Sequence, residues 1–319
     1  MTFDPSPYRP PRWARNGHVQ TVVPALFRAV DGVTYRRERL ELADGDFLDL
    51  DWTGPAADRV AVLAHGLEGS TDRAYMRGMA RALVRRGWEV CAWNLRGCSG
   101  EPNRLLRAYH SGATEDLDAV VQHVLDRRDA LAVVGFSLGG NLTLRWLGEQ
   151  GGRLDPRVVA GVGISVPVDL AGSAATMEAW SRRIYMLRFL RTLTAKSAEK
   201  AGRFPDAPDC APLSGMTTFR EFDAHVTAPL HGFDSAADYW RRASARPVLA
   251  DVRVPTLLVN ALDDPFLSAS CVPTEIASAS DCLTLLAPPY GGHVGFIQRG
   301  PIYWSEQVTG QFLDAAWTA

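Results

Sequence analysis

From residue 60 onward the chain alternates short, mostly apolar runs with longer amphipathic stretches. The runs are Val60 to Ala64, Glu89 to Trp93, Ala130 to Phe136, Val158 to Ile164, Thr256 to Ala261 and Leu283 to Ala287. Runs of this length and apolarity predict strands buried on both faces of a mostly parallel sheet. The amphipathic stretches are Ala74 to Arg86, Thr114 to Arg127, Leu138 to Gln150, Ala269 to Ser278 and Trp304 to Ala316. In the first of them Met76, Met79, Ala80 and Leu83 recur at helical spacing, and Gly87 stands where the helix must stop. The alternation predicts an α/β fold, a central sheet flanked by helices.

Three segments depart from that rhythm. Arg37 to Leu42 and Phe47 to Trp52 alternate polar and apolar residues around Ala43-Asp44-Gly45-Asp46, which predicts a hairpin. Residues 1–34, rich in proline and arginine, predict an irregular arm. Between Val166 and Val252 no strand pattern appears, so residues 167–251 are expected to form a helical cap inserted into a core made of residues 35–166 and 252–319.

Within the insertion, Ser181 to Arg203 carries seven basic residues, and no acidic residue lies between Glu178 and Glu199. Ile184, Leu187, Leu190 and Leu193 recur every three residues and predict one apolar side. Such a helix can pack that side over the sheet with its arginines in water, or rest peripherally on an anionic membrane. Trp180, Leu187, Phe189 and Leu190 are the candidates for lining a pocket beneath it.

At 319 residues and 46% hydrophobic, the chain can bury a large core without metals or disulfides. A formal net charge of −2 provides no field to recruit nucleic acid. Cys91, Cys98, Cys210, Cys271 and Cys282 are widely spaced and odd in number, which suits reduced thiols in a cytoplasmic protein. The proline-broken N-terminus has no apolar run for a signal peptide, and no stretch has the length of a membrane span.

Gly135-Phe136-Ser137-Leu138-Gly139 is the sharpest local signal. It follows one predicted strand and opens a predicted helix, where a tight turn needs glycines and lifts the Ser137 hydroxyl above the sheet. A serine hydroxyl needs a base and an orienting carboxylate to act as a nucleophile. Beyond it, strand Thr256 to Ala261 leads into Leu262-Asp263-Asp264-Pro265, and strand Leu283 to Ala287 leads into a loop ending Gly291-Gly292-His293. The chain order serine, carboxylate, histidine, each after its own strand, is that of a hydrolytic triad.

Either aspartate could orient His293, and either could cap the following helix. Pro265 tends to hold Asp264 extended past the strand end, which favours Asp264 as the orienting group. Ala64-His65-Gly66-Leu67-Glu68-Gly69 follows the strand Val60 to Ala64, where an oxyanion-binding loop belongs, so the backbone amides of Leu67 and Leu138 are the expected donors. His65 has no second ligand at metal spacing and is expected to shape that loop. Arg96, Cys98, Tyr109 and His110 read as structural or packing residues. This chemistry calls for no cofactor or metal.

Several stretches together carry a resemblance. They are Asn16-Gly17-His18-Val19-Gln20-Thr21, His65 to Ser70, Asn94 to Gly100, Tyr109-His110-Ser111-Gly112, Gly135 to Asn141, Phe222-Asp223 and Asp263 to Phe266. In these the chain resembles the YheT-like branch of α/β hydrolases, relatives of the eukaryotic alpha/beta-hydrolase domain proteins 1, 2 and 3. The resemblance implies an α/β-hydrolase fold and hydrolysis of carboxylic esters with acyl chains, a small-molecule ester being the partner. It puts the family's serine, aspartate and histidine on Ser137, Asp264 and His293. Some such proteins pass the acyl group to an alcohol instead of water, and a non-catalytic binding protein on the same scaffold is the third alternative.

Overall fold

The computed structural model describes residues 3–209 and 211–318. Cys210, counted above among the cysteines, lies outside them. Eight strands form one sheet in the order β1-β2-β4-β3-β5-β6-β7-β8. They are β1 (Arg36–Glu41), β2 (Phe47–Thr53), β3 (Arg59–Ala64), β4 (Glu89–Trp93), β5 (Ala130–Phe136), β6 (Val158–Ile164), β7 (Thr256–Val259) and β8 (Leu283–Leu286). Every pairing from β4 to β8 is parallel, while β2 is antiparallel to both β1 and β4.

The hairpin's register is tied by charge. Arg37 stands opposite Asp51 and Arg39 opposite Asp49, and each pair makes an ion pair at 2.8 Å. A one-residue slip would turn both buried aspartates away from their arginines.

Along β5 the side chains alternate between two cores. Ala132, Val134 and Phe136 pack with Met79, Leu83 and Phe312 on one face, and Leu131 and Val133 pack with Val120, Leu142 and Trp146 on the other. That alternation is the period of two that a strand imposes, and burial on both faces is why the runs read as continuously apolar. The covering helices are α2 (Ala74–Val84), α3 (Thr114–Leu125), α4 (Leu138–Gln150) and α11 (Trp304–Trp317).

Four expectations need correction. The arm contains a true helix, α1 (Gly17–Phe27), whose N-cap Asn16 accepts a hydrogen bond from the Val19 amide. A glycine at its start and Pro24 inside it hid the pattern. Strand β7 stops at Val259 and β8 at Leu286, although the Asn260 and Leu262 amides still donate to the Leu286 and Pro288 carbonyls beyond those ends. The expected helix from Ala269 splits into a 3₁₀ turn, Ala269–Cys271, and α10 (Thr274–Ser278), since Pro273 between them has no amide hydrogen.

The fourth correction concerns the insertion. Between β6 and β7 the chain forms α5 (Leu170–Met177), α6 (Arg183–Arg203), α7 (Phe219–Phe222), α8 (Ala228–His231) and α9 (Ala236–Ala243), with a π-helical turn, Asp223–Thr227, joining α7 to α8. The four residues proposed as one apolar side of α6 do not share a face. Residues nine apart on an α-helix are turned by about half a revolution. Leu190 is buried against Met177, Phe222 and Val226, whereas Ile184 is 74% exposed and Leu187 41% exposed.

Candidate active site

Ser137 sits between β5 and α4 at φ 51° and ψ −118°, a conformation that non-glycine residues rarely adopt. The flanking glycines permit it. A Cβ on Gly135 would lie 2.2 Å from the Gly139 carbonyl oxygen, and one on Gly139 would lie 2.4 Å from the His65 carbonyl oxygen. The sequence motif is thus a steric requirement of strand, turn and helix crossing at one point.

His293 reaches this serine from the loop after β8. Its Nε2 lies 2.9 Å from Ser137 Oγ, and its Nδ1 lies 2.9 Å and 3.2 Å from the two carboxylate oxygens of Asp264. With Nδ1–H donating to the carboxylate, Nε2 is left to accept the serine hydroxyl's hydrogen. Asp264 Oδ1 also accepts the Phe266 amide at 2.9 Å, and the aspartate side chain is fully enclosed. Asp263 points elsewhere: its Oδ1 accepts the Gly292 amide at 2.9 Å. All three residues expected from the sequence therefore meet, and the neighbouring carboxylate braces the histidine's loop.

The loop after β3 passes over the serine, close enough that a Cβ on Gly66 would sit 3.0 Å from Ser137 Cβ. Within it the Gly66 amide donates to Tyr75 Oη and the Glu68 amide donates to Tyr109 Oη, both at 3.0 Å. The Leu67 amide between them and the Leu138 amide at the start of α4 have no acceptor among the described residues. Both residues line the same cavity as Ser137 and His293.

His65 is wholly buried, and burial pushes its imidazole down to about 4, so it is neutral. Its Nδ1–H donates to the Gly66 carbonyl at 2.8 Å and its Nε2 accepts the Leu95 amide at 3.1 Å, which makes it a brace of the loop. Arg96 grips Asp116 through two hydrogen bonds, of 2.8 Å and 2.7 Å, and is structural. Burial pushes the Cys98 thiol up to about 11, far from a reactive thiolate. Tyr109 and His110 both pack and line the cavity. No cluster of histidine, cysteine and carboxylate side chains among the described residues could hold a metal.

The cavity has a volume of about 420 Å³. Its roof comes from the inserted helices: Met177, Phe189, Leu193, Phe222 and Val226 give it an apolar lining. Of the four lining residues expected from the sequence, only Phe189 faces the cavity. Trp180 is 89% exposed, Leu187 points outward, and Leu190 is buried in the packing behind the wall.

Residues 60–300 match the family described as alpha/beta hydrolase fold. The chain belongs to the α/β hydrolases, in their YheT-like branch. The Escherichia coli (strain K12) protein named "Putative esterase YheT" is 39% identical over 296 residues, covering 90% of this chain and 86% of its own. Mouse phospholipase ABHD3 is 30% identical over 314 residues, covering 95% of this chain and 75% of its own. Among solved structures, the Pyrococcus furiosus esterase Pf2001 superposes with a TM-score of 0.61 at 18% identity, over 90% of this chain and 96% of its own, a likeness of fold.

Other residues of this α/β hydrolase's site carried no chemical signal in the sequence. Ser165, the residue after β6, accepts the Val294 amide at 2.8 Å through its side chain. Thr21 and Gln20 of α1 also hold the histidine loop. The stretch Asn16 to Thr21 stood out as a motif, yet nothing in it indicated which distant loop it would meet.

Proposed function

We propose that this chain is a serine carboxylic ester hydrolase, acting on medium-chain or lipid-like acyl esters through Ser137, His293 and Asp264. The observation that carries this reading is the unbroken hydrogen-bond relay from Ser137 Oγ through the imidazole to Asp264, at the base of an apolar cavity. The names of the relatives, an esterase and a phospholipase, support the same bond being cleaved.

In the proposed reaction His293 Nε2 takes the proton of Ser137 as its oxygen attacks the ester carbonyl. The Leu67 and Leu138 amides donate to the developing oxyanion, interactions worth a few kcal/mol each in related chemistry. His293 then returns the proton to the leaving alcohol. Water, deprotonated by the same imidazole, attacks the acyl-enzyme and releases the acid. Asp264 keeps Nδ1 protonated and stabilises the imidazolium that forms. Residues 167–251 act as the cap over a core of residues 35–166 and 252–319, and their apolar lining suits the acyl chain.

Ser137→Ala tests the assignment. Hydrolysis of a p-nitrophenyl ester panel and labelling by a fluorophosphonate should both vanish, and undiminished labelling of the variant would overturn it. Analysing products with a short alcohol added tells acid from new ester, and acid is expected to dominate.

Two further points belong to this reading. Trp180, Ile184 and Leu187 are exposed beside Arg183, Arg188 and Arg191, which have no acidic partner among the described residues. That pattern suits peripheral contact with an anionic lipid surface. Flotation with phosphatidylglycerol vesicles, but not with phosphatidylcholine alone, is the expected result, lost in Ile184→Glu. The four described cysteines are free, which suits a reducing, cytoplasmic setting.

A further inference from the structure

Helix α1 lies before residue 60, where the match to the hydrolase family begins, and contributes no side chain to the cavity lining. It nevertheless holds the loop that carries His293 directly. Thr21 Oγ1 accepts the backbone amide of His293 itself at 2.9 Å, while its own hydroxyl donates to the Gly17 carbonyl at 2.7 Å. The Gln20 side chain accepts the Ile297 amide at 2.7 Å through Oε1 and donates through Nε2 to Tyr8 Oη and the Ala14 carbonyl, both at 2.8 Å. Gln20 is wholly buried, so each of its polar atoms must be matched, and each is.

The fit is as close in shape as in hydrogen bonding. A Cβ on Gly292 would fall 2.4 Å from the Gly17 carbonyl oxygen, one on Gly295 would fall 2.1 Å from the Gln20 carbonyl oxygen, and one on Gly17 would fall 1.9 Å from the Asp263 carbonyl oxygen. Three glycines thus let α1, the histidine loop and the aspartate loop meet backbone to backbone.

The loop needs such support. Val294 and Phe296 have φ of 60° and 50°, positions that a β-branched or bulky residue adopts only when its surroundings over-determine them. Ser165 holds the Val294 amide from the sheet side, and α1 holds the residues on either side of that strained stretch. The opposite flank of α1 touches the inserted helices. His18 stacks on Tyr185 of α6 with Nδ1 2.9 Å from the tyrosine oxygen, Tyr185 packs on Phe266, and Phe266 packs on the His293 ring at 4.2 Å between centroids.

We infer that α1 is a positioning element for His293, with Thr21 and Gln20 setting the imidazole's reach to Ser137. The inference rests on the triad reading above. It gives the motif Asn16 to Thr21 a job: Asn16 starts the helix, Gly17 admits the aspartate loop, and Gln20 and Thr21 clamp the histidine loop. A displaced base loses rate, because small errors in the attack geometry are enough to slow proton transfer.

The test is Thr21→Val, which keeps shape and removes the acceptor for the His293 amide, compared with Thr21→Ser, which retains it. Thr21→Val should lower kcat by about ten- to a hundred-fold, with KM held within about two-fold. Fluorophosphonate labelling should slow in parallel, and Thr21→Ser should recover most of the rate. Should Thr21→Val fail to fold, Gln20→Met, which keeps the length and removes the acceptor for the Ile297 amide, is measured against the same criteria. A residue that served only the fold would lower Tm and leave kcat per folded molecule unchanged, and that result overturns the inference. If Ser137→Ala retains activity, the triad reading fails instead, so the two failures are distinguishable.

Discussion

Lys196 Nζ, on the inner side of α6, lies 3.0 Å from Glu68 Oε1, in the loop that carries the Leu67 amide. Tyr109 Oη donates to the same carboxylate oxygen at 2.6 Å and accepts the Glu68 amide, so one glutamate ties the inserted helices to the loop over the serine. An ion pair with a part-exposed lysine contributes about 1 kcal/mol or less to stability. Its effect should fall on how the roof closes. Lys196→Met is expected to raise KM for long-chain esters several-fold while barely moving Tm, as measured by steady-state kinetics and a thermal melt. Equal KM values in variant and native protein would contradict this.

The two adjacent aspartates should separate cleanly. Asp264→Asn removes the acceptor that sets the His293 tautomer, a change that lowers turnover by about four orders of magnitude in a well-studied protease. Asp263→Asn should keep kcat within about ten-fold, since the carboxamide oxygen can still accept the Gly292 amide, and should act mainly on stability. A kinetic defect that tracked Asp263 would reverse the two roles.

Asp223 provides a pH signature. It lines the cavity, accepts hydrogen bonds from Thr227 Oγ1 at 2.6 Å and Trp240 Nε1 at 2.8 Å, and burial pushes its carboxyl up from 3.8 to about 6. The folded state thus holds this proton more tightly than the unfolded chain. The stability it contributes is fully present below about pH 4 and lost as the pH rises through about 6, with a ceiling of roughly 3 kcal/mol. In Asp223→Asn that loss disappears. The difference in Tm, variant minus native, should be small at pH 4 and grow toward pH 7. A difference independent of pH would show that Asp223 does not titrate there.

Chain-length preference should follow the true lining. Phe189→Ala and Leu193→Ala enlarge the cavity and should move the optimum of an ester panel toward longer acyl groups. Trp180→Ala, on the outer side, should leave that profile in place. An unchanged optimum in both lining variants would detach the insertion from acyl selection.

Much of the fold was legible because its signals are local. Burial on both faces of β4, β5 and β6 forces runs of apolar residues, and these three strands have the bounds the pattern predicts. What failed was non-local or geometric. Every-third-residue spacing made Ile184 and Leu193 look like one face of α6, although a helix turns them to opposite sides. In α1, Gly17 weakens the helical pattern yet is required by a contact with Asp263, far away in sequence but adjacent in space.

The sequence by itself determined the class of fold and put a candidate serine, a pair of aspartates and a histidine in triad order. A nucleophile turn is built from consecutive residues, and the chain order of serine, aspartate and histidine survives in one dimension. Tertiary structure alone decided which of two neighbouring aspartates meets His293, which side of α6 faces the cavity, and that the arm before the sheet holds the histidine loop. Those are questions of direction and of contact between segments as many as 277 residues apart. Local patterning encodes neither, because a side chain's partner across the fold leaves no periodic trace in its own neighbourhood.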